Sequence, residues 1–285
     1  MTSVQWSTHT VELRRATVVK RFRPGSGAEH AREWRALTLL ARYAPDLAPA
    51  PLRSEPDAAR PTVVMSRLPG TPLRGAPMTE RQTRALARTV TALHAAVPPE
   101  VATTLPVRHD HQAGVIARLH AWQAPSGMPG VSRTVADAMR HGLTWLAGSG
   151  LENGAQSGVP QNIPVIFGPG DGNLANCLWD GTRVRVVDFE DSGRSDRAFE
   201  LAEITEHVSS WLDGTLNVPL FLSHVPLTPA ETTRLLDCRR LLALVWLFLL
   251  ARDNREPPRN PPTTPARQAA RLLRLLAPGT TPDTH

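Results

Sequence analysis

The stretch Val165-Ile166-Phe167-Gly168-Pro169-Gly170-Asp171-Gly172-Asn173-Leu174-Ala175-Asn176-Cys177-Leu178-Trp179, which turns at Asp180-Gly181 and returns as Arg183-Val184-Arg185-Val186-Val187-Asp188, decides the fold. Residues 165–167 read as a short apolar strand. The glycines, proline, Asp171 and Asn173 that follow force a tight turn, because glycine alone enters left-handed backbone conformations freely. Residues 176–179 read as a second strand, Asp180-Gly181 is a strong hairpin signal, and 183–188 form the return strand. Such a hairpin brings Asn176 near Asp188, with Asp171 on the loop just before. Taken singly, these residues are ordinary turn formers and strand ends. Together they place two carboxylates and an amide at one end of a small sheet, a hard-oxygen set that suits Mg²⁺ held partly by substrate phosphates.

Working outward, residues 11–13 and 16–22 read as strands joined by a turn at Arg14-Arg15, and Arg23-Pro24-Gly25-Ser26-Gly27 interrupts them. Residues 29–42 have helical spacing, with Trp34, Leu37 and Leu40 on one side. A proline-rich connector follows (Pro45, Pro49, Pro51), then a buried-type strand at 62–65 and the turn residues Leu68-Pro69-Gly70-Thr71-Pro72. From Thr79 onward helices dominate. Thr79 and Gln82 have capping-box spacing, and Leu86, Val90 and Leu93 give the stripe of a helix ending near Val97-Pro98. Further helices are expected at 112–122 and 131–146, a surface loop at 148–162, and a proline-rich linker at 257–265. A final helix over 266–276 carries Arg267, Arg271 and Arg274 as a solvated face.

The chain has 285 residues, 41% hydrophobic and 20% charged, which excludes disorder, collagen and coiled coil. The longest apolar run, 241–251, is far short of the roughly 20 residues a bilayer needs and reads as a buried helix. The first six residues lack the basic flank and apolar core of a signal peptide, and Cys177 and Cys238 are too few for a disulfide framework. A reducing cytoplasm is the expected compartment. Ten histidines form no cluster with zinc-ligand spacing, and His109-Asp110-His111 reads as an exposed loop. Net charge is +6, but the arginines are spread without aromatic interleaving, so no nucleic acid is expected as partner. Of 32 basic residues only Lys20 is lysine. A lysine that survives such an arginine bias is a candidate for a position where a slender point charge is needed and a planar fork will not serve, chance survival being the alternative.

Gly170-Asp171-Gly172-Asn173-Leu174-Ala175-Asn176 followed by Val186-Val187-Asp188-Phe189-Glu190-Asp191 resembles the catalytic and metal-binding motifs of the aminoglycoside phosphotransferase family, which shares its fold with choline, homoserine and fructosamine kinases. Val18-Val19-Lys20 resembles the strand lysine of that family's small lobe. Arg32-Glu33-Trp34 resembles the helix bearing the lysine's glutamate partner, and Val63-Val64-Met65-Ser66-Arg67-Leu68 resembles its strand and hinge. Leu93-His94, and Gly193, Asp196 and Phe199-Glu200-Leu201-Ala202, fall in the family's order. The matches span about residues 11–207.

The resemblance implies an α+β, bilobal protein-kinase-like fold: a small β-rich N-lobe over residues 1–70, a hinge near 66–72, and a larger, mostly helical C-lobe over 71–285. It implies a small-molecule kinase that moves the γ-phosphate of ATP or GTP to a hydroxyl, an antibiotic being the expected acceptor and resistance or self-protection the role. Catalysis of that kind is positioning plus electrostatics. Asp171 would be the base, Asn176 and Asp188 would hold Mg²⁺, and Lys20, Glu33, Ser66 and Leu68 would bind the nucleotide. Glu33 shares a face with Leu37 and Leu40, where an unpaired carboxylate is costly, and a pair with Lys20 would resolve that. Pro169 stands where the family has histidine, and residues 5–10, which must cover the phosphates, contain no glycine. Glu203, Glu206 and Asp213 would supply an acidic patch for a cationic acceptor, whereas the last helix is basic, so a polycationic aminoglycoside and a less charged antibiotic stand as equals. A metabolic kinase for choline, homoserine or a sugar, and a non-catalytic kinase-like binding protein, are the alternatives.

Overall fold

A computed structural model of the protein describes residues 9–122, 131–152, 163–253 and 258–280. Its elements run β1 Thr10–Leu13, β2 Thr17–Arg21, α1 Gly27–Tyr43, β3 Pro51–Glu55, β4 Thr62–Ser66, β5 Thr71–Pro72, α2 Glu80–Ala96, α3 Pro99–Ala102, α4 Gln112–Trp122 and α5 Arg133–Gly148. They continue with β6 Val165–Gly168, β7 Cys177–Trp179, β8 Val184–Val186, β9 Gly193–Asp196, α6 Arg197–Glu206, α7 Val208–Trp211, α8 Val218–Ser223, α9 Pro229–Ala251 and α10 Thr264–Leu276.

The small lobe is an antiparallel sheet, ordered β1-β2-β4-β3, with α1 packed on it. The apolar residues of α1 recur at helical spacing, so Leu37 and Leu40 meet Phe22, Val63 and Met65 in a dry layer. Removing one such leucine side chain costs about 2–5 kcal/mol. β2 sits between β1 and β4, which buries both Val19 and Lys20. The larger lobe is helical, an α+β kinase-like arrangement overall. α9 is buried along most of its 23 residues against α5, α6 and α10. That packing explains the 241–251 run, and among the described residues no helix is long and apolar enough to cross a membrane. α2 begins with the expected capping box, the Thr79 and Gln82 side chains each accepting from the other's backbone N–H.

Several expectations need correction. The proline-rich connector contains an edge strand, β3, which tolerates Pro51 because it stands at the first position. β9 is a strand of Gly-Arg-Ser-Asp with no apolar signal, held by pairing with β6 and burial of Ser195 and Asp196. Asn176 belongs to a single 3₁₀ turn, Leu174–Asn176, capped by Asn173, and the return strand stops at Val186, so Asp188 stands beyond it. Pro265 lies inside α10 at its first turn, where its missing N–H costs nothing. Most of the expected 148–162 loop and of the phosphate-covering segment 5–10 lies outside the described residues.

Candidate active site

On the small-lobe side the site is built around Lys20, which is 4% exposed. Its Nζ donates to Glu33 Oε2 at 3.0 Å and Asp188 Oδ1 at 2.5 Å, and stands 2.7 Å from Glu190 Oε2. Burial alone would lower the ammonium's pKa, but the Glu33, Asp188 and Glu190 carboxylates outweigh it and hold that pKa well above its ordinary value. Burial, and then Asp188, raise the Glu33 pKa as well, against the pull of Lys20. Its Oε2 also accepts the Phe189 N–H at 2.8 Å, which ties α1 to the segment after β8. Asp188 reaches Lys20 from a left-handed backbone, φ 71°, a conformation uncommon for non-glycine residues and most accessible to Asn and Asp. Glu190, which sequence reasoning did not single out, stands 3.2 Å from His9 Nε2, and despite its burial His9 and Lys20 draw its pKa down to about 2. Its signal was available, since it is the carboxylate two residues past Asp188 in the same quoted run.

Ser66 and Leu68 do not join this cluster. The register sets Lys20 opposite Val63 and Ser66 opposite Thr17, at the far end of β4, and the Ser66 hydroxyl accepts the Ala50 N–H.

The loop from Gly168 to Asn173 shows why glycine occupies it. Gly170 has φ 94°, and a side chain there would strike the Asp191 backbone at 2.5 Å. One at Gly172 would strike the Glu203 carbonyl at 2.2 Å, so the loop lies directly against α6. The Gly170 N–H donates to Glu200 Oε2 at 3.1 Å. Glu200 is in turn held by Arg108, whose Nη1 reaches Glu200 at 3.3 Å and Glu203 at 3.0 Å in an almost fully buried triad. Arg108 was not anticipated. No spacing announces it, because it lies 92 residues from Glu200.

Asp171 is 34% exposed at its side chain. Its Oδ1 accepts the Asn173 N–H and its Oδ2 the Asn176 amide, both at 2.9 Å. Desolvation first, then the neighbouring Asp188, pushes its pKa up to about 7. The Val187 N–H donates to the Asn176 carbonyl at 2.9 Å, binding this loop to the segment that carries Asp188. Sequence reasoning also missed His207, whose Nε2 stands 3.8 Å from Asp171 Oδ1.

The expected acidic patch is otherwise engaged. Glu206 is fully buried between Arg239 at 2.7 Å and Arg271 at 2.8 Å, which lower its pKa against its burial. Glu203 belongs to the Arg108 triad, and burial pushes its pKa up to about 7. Of the three acids only Asp213 is exposed. Nor are the α10 arginines merely a solvated face, since Arg267 and Arg271 both lie over the Trp211 ring and Arg271 holds Glu206. His111, expected on an exposed loop, is buried 3.6 Å from Asp196, while His109 is exposed.

A family model described as "Phosphotransferase enzyme family" matches residues 3–224. A sequence search of curated proteins gives no match. Among solved structures, the chain is similar to a choline/ethanolamine kinase family protein from Mesorhizobium loti, with TM-score 0.65, 18% identity, and 99% of this chain and 89% of that one covered. It is similar to a thermostable mutant of an aminoglycoside phosphotransferase in apo form, with TM-score 0.63, 16% identity, and 98% and 93% covered. It is also similar to the GDP complex of a wild-type aminoglycoside 2'-phosphotransferase, with TM-score 0.60, 14% identity, and 96% and 90% covered. At these identities the likeness is one of fold.

Proposed function

The chain belongs to the phosphotransferase enzyme family and is a small-molecule kinase, and from that premise we propose that it moves the γ-phosphoryl group of ATP or GTP to a hydroxyl of an antibiotic. One observation carries the assignment of roles. Asn176 bonds Asp171, Asp188 bonds Lys20, and a backbone hydrogen bond joins the two segments, so base and phosphate-binding lysine are linked through the two expected metal ligands.

In this reading Asp171 orients the acceptor hydroxyl and takes its proton as the new O–P bond forms and the nucleoside diphosphate leaves. Lys20 meets the α and β phosphates, with Glu33 setting its position. The backbone around Ser66 and Leu68 meets the nucleotide at the hinge. The donors fit Mg²⁺: Asn176 uses its amide nitrogen on Asp171, which leaves its carbonyl oxygen, and Asp188 uses Oδ1 on Lys20, which leaves a second carboxylate oxygen. Mg²⁺, when bound, neutralises charge developing on the phosphates. Two of the three acids expected to meet a polycation, Glu203 and Glu206, are instead held by arginines, which supports a less charged antibiotic over an aminoglycoside.

The test incubates the protein with ATP or GTP, Mg²⁺ and a panel of aminoglycoside, nucleoside and peptide antibiotics, then choline, homoserine and sugars. Product is read by mass for one added phosphate. A phosphorylated, weakly charged antibiotic is expected. Transfer only to choline, homoserine or a sugar makes the protein a metabolic kinase, and no transfer to any acceptor overturns the reading.

A further inference from the structure

We propose that His207 is a second residue in contact with the acceptor hydroxyl, donating a hydrogen bond from Nε2 while the same hydroxyl donates to Asp171. The inference rests on Asp171 being the base and adds the group that fixes the nucleophile's lone pair.

The tautomer follows from the partners of the other ring nitrogen. His207 precedes α7, and its Nδ1 accepts the Ser209 backbone N–H at 3.0 Å. An amide N–H can only donate, so Nδ1 is the bare nitrogen. The Ser209 hydroxyl lies 2.7 Å from the same Nδ1 and accepts the Leu174 N–H at 3.0 Å, so its own proton also turns to the ring. In the neutral ring the proton is therefore on Nε2. Burial first, then Arg74, pushes the ring's pKa down to about 3, which keeps it neutral where enzymes work. Trp246 meets the ring edge-on at 4.6 Å and locks its plane. Ser209 also anchors the Asp171 loop through Leu174, so imidazole and carboxylate ride on one frame.

Nε2 and Asp171 Oδ1 are 3.8 Å apart, too far to bond each other. They are well placed for one oxygen to bridge, at about 2.8 Å from each. Oδ1 already accepts the Asn173 N–H, and a carboxylate oxygen has a second lone-pair direction for the hydroxyl. With its proton on Asp171 and one lone pair on His207, the acceptor oxygen keeps its other lone pair for phosphorus. The O–P bond forms, the bond from phosphorus to the bridging oxygen of the nucleoside diphosphate breaks, and the hydroxyl proton ends on Asp171. Orientation of this kind is where most of the rate of phosphoryl transfer arises.

Two variants separate contact from scaffolding. His207→Asn keeps an acceptor near the Nδ1 position and so keeps the α7 cap, but it has no donor at the Nε2 position. His207→Gln carries an amide donor out to that position. With the acceptor found by the panel, or with water as acceptor read as inorganic phosphate release, His207→Asn is expected to lower kcat roughly 10- to 100-fold with the nucleotide KM within about twofold. His207→Gln is expected to recover to within about fivefold of the unsubstituted protein. Unchanged kcat in His207→Asn, or equal loss in two variants with unaltered melting, overturns the proposal. The unsubstituted protein labelled with ¹⁵N-histidine gives an independent reading: a ring protonated at Nε2 and bare at Nδ1 from pH 5 to 8 is expected, and the opposite tautomer overturns it. A protein that transfers phosphate to no acceptor and releases none refutes the Asp171 reading instead, and leaves the tautomer to be judged by the spectrum.

Discussion

The two sides of the candidate site treat charge in opposite ways. On the small-lobe side Lys20 is surrounded by Glu33, Asp188 and Glu190, an ammonium saturated with carboxylates and sealed from water. On the large-lobe side Asp171 touches the neutral donors Asn173 N–H and Asn176 amide, faces a neutral imidazole, and keeps partial exposure. A cation held by several anions stays charged and stays put. A carboxylate whose pKa is pushed up by desolvation and a neighbouring carboxylate can accept a proton. The difference separates holding a group from receiving one.

The comparison breaks most sharply at Asp171. In the proposed reading Asp171→Asn removes the proton acceptor and keeps the shape, so turnover measured by phosphate transfer should fall about 10²–10⁴-fold with unaltered melting. Turnover within a few-fold would move the base elsewhere. Arg108→Met tests what holds the large-lobe side together. It leaves Glu200 and Glu203 buried without their shared cation, and denaturant unfolding should show a loss of about 3–5 kcal/mol. A loss below about 1 kcal/mol would mean that the triad does not support the loop.

Buried groups kept neutral sharpen the contrast with Lys20. Burial lowers the pKa of His94 from 6.5 to about 4. The unfolded chain therefore binds more protons between those values, so stability is complete above pH 6.5 and falls as pH drops toward 4. Thermal melts from pH 8 to 4 should lose at most roughly 3 kcal/mol from this group, and His94→Gln should flatten the slope. A slope unaltered by the variant would remove His94 from the account. Lys20→Arg probes the small-lobe side at constant charge. The guanidinium is too wide for a pocket closed by three carboxylates, and kcat/KM for the nucleotide should fall about 100-fold. Normal kinetics would make Lys20 an incidental survivor of the arginine bias. The smallest effect lies away from the candidate site: Thr79→Ala should cost about 1 kcal/mol in melting and leave turnover unaltered.

Much of this molecule was legible before its structure. The α2 capping box, the Asp180-Gly181 turn and the helix over 112–122 depend on neighbours within a few residues, and they stand where local spacing put them. The contact of Lys20 with Glu33 was implied by the family resemblance, and a charge on an apolar helix face agreed with it. β9 escaped because its strand character comes from pairing with β6, its side chains being polar. Glu206 was misread as free acid because its partners lie 33 and 65 residues away.

The sequence by itself determined the chemical groups and the local elements that carry them: the lone lysine, the glycine-bound Asp171 loop, the Asn176 and Asp188 donors, and the family to which they belong. Only the tertiary structure decided which charges are neutralised and which stay available. It gave Glu206 to Arg239 and Arg271, Glu200 and Glu203 to Arg108, and set a neutral His207 opposite Asp171. The reason is physical. Propensity and periodicity act over one turn of helix or one strand pair, whereas the charge of a buried group depends on whatever packing brings within a few ångströms.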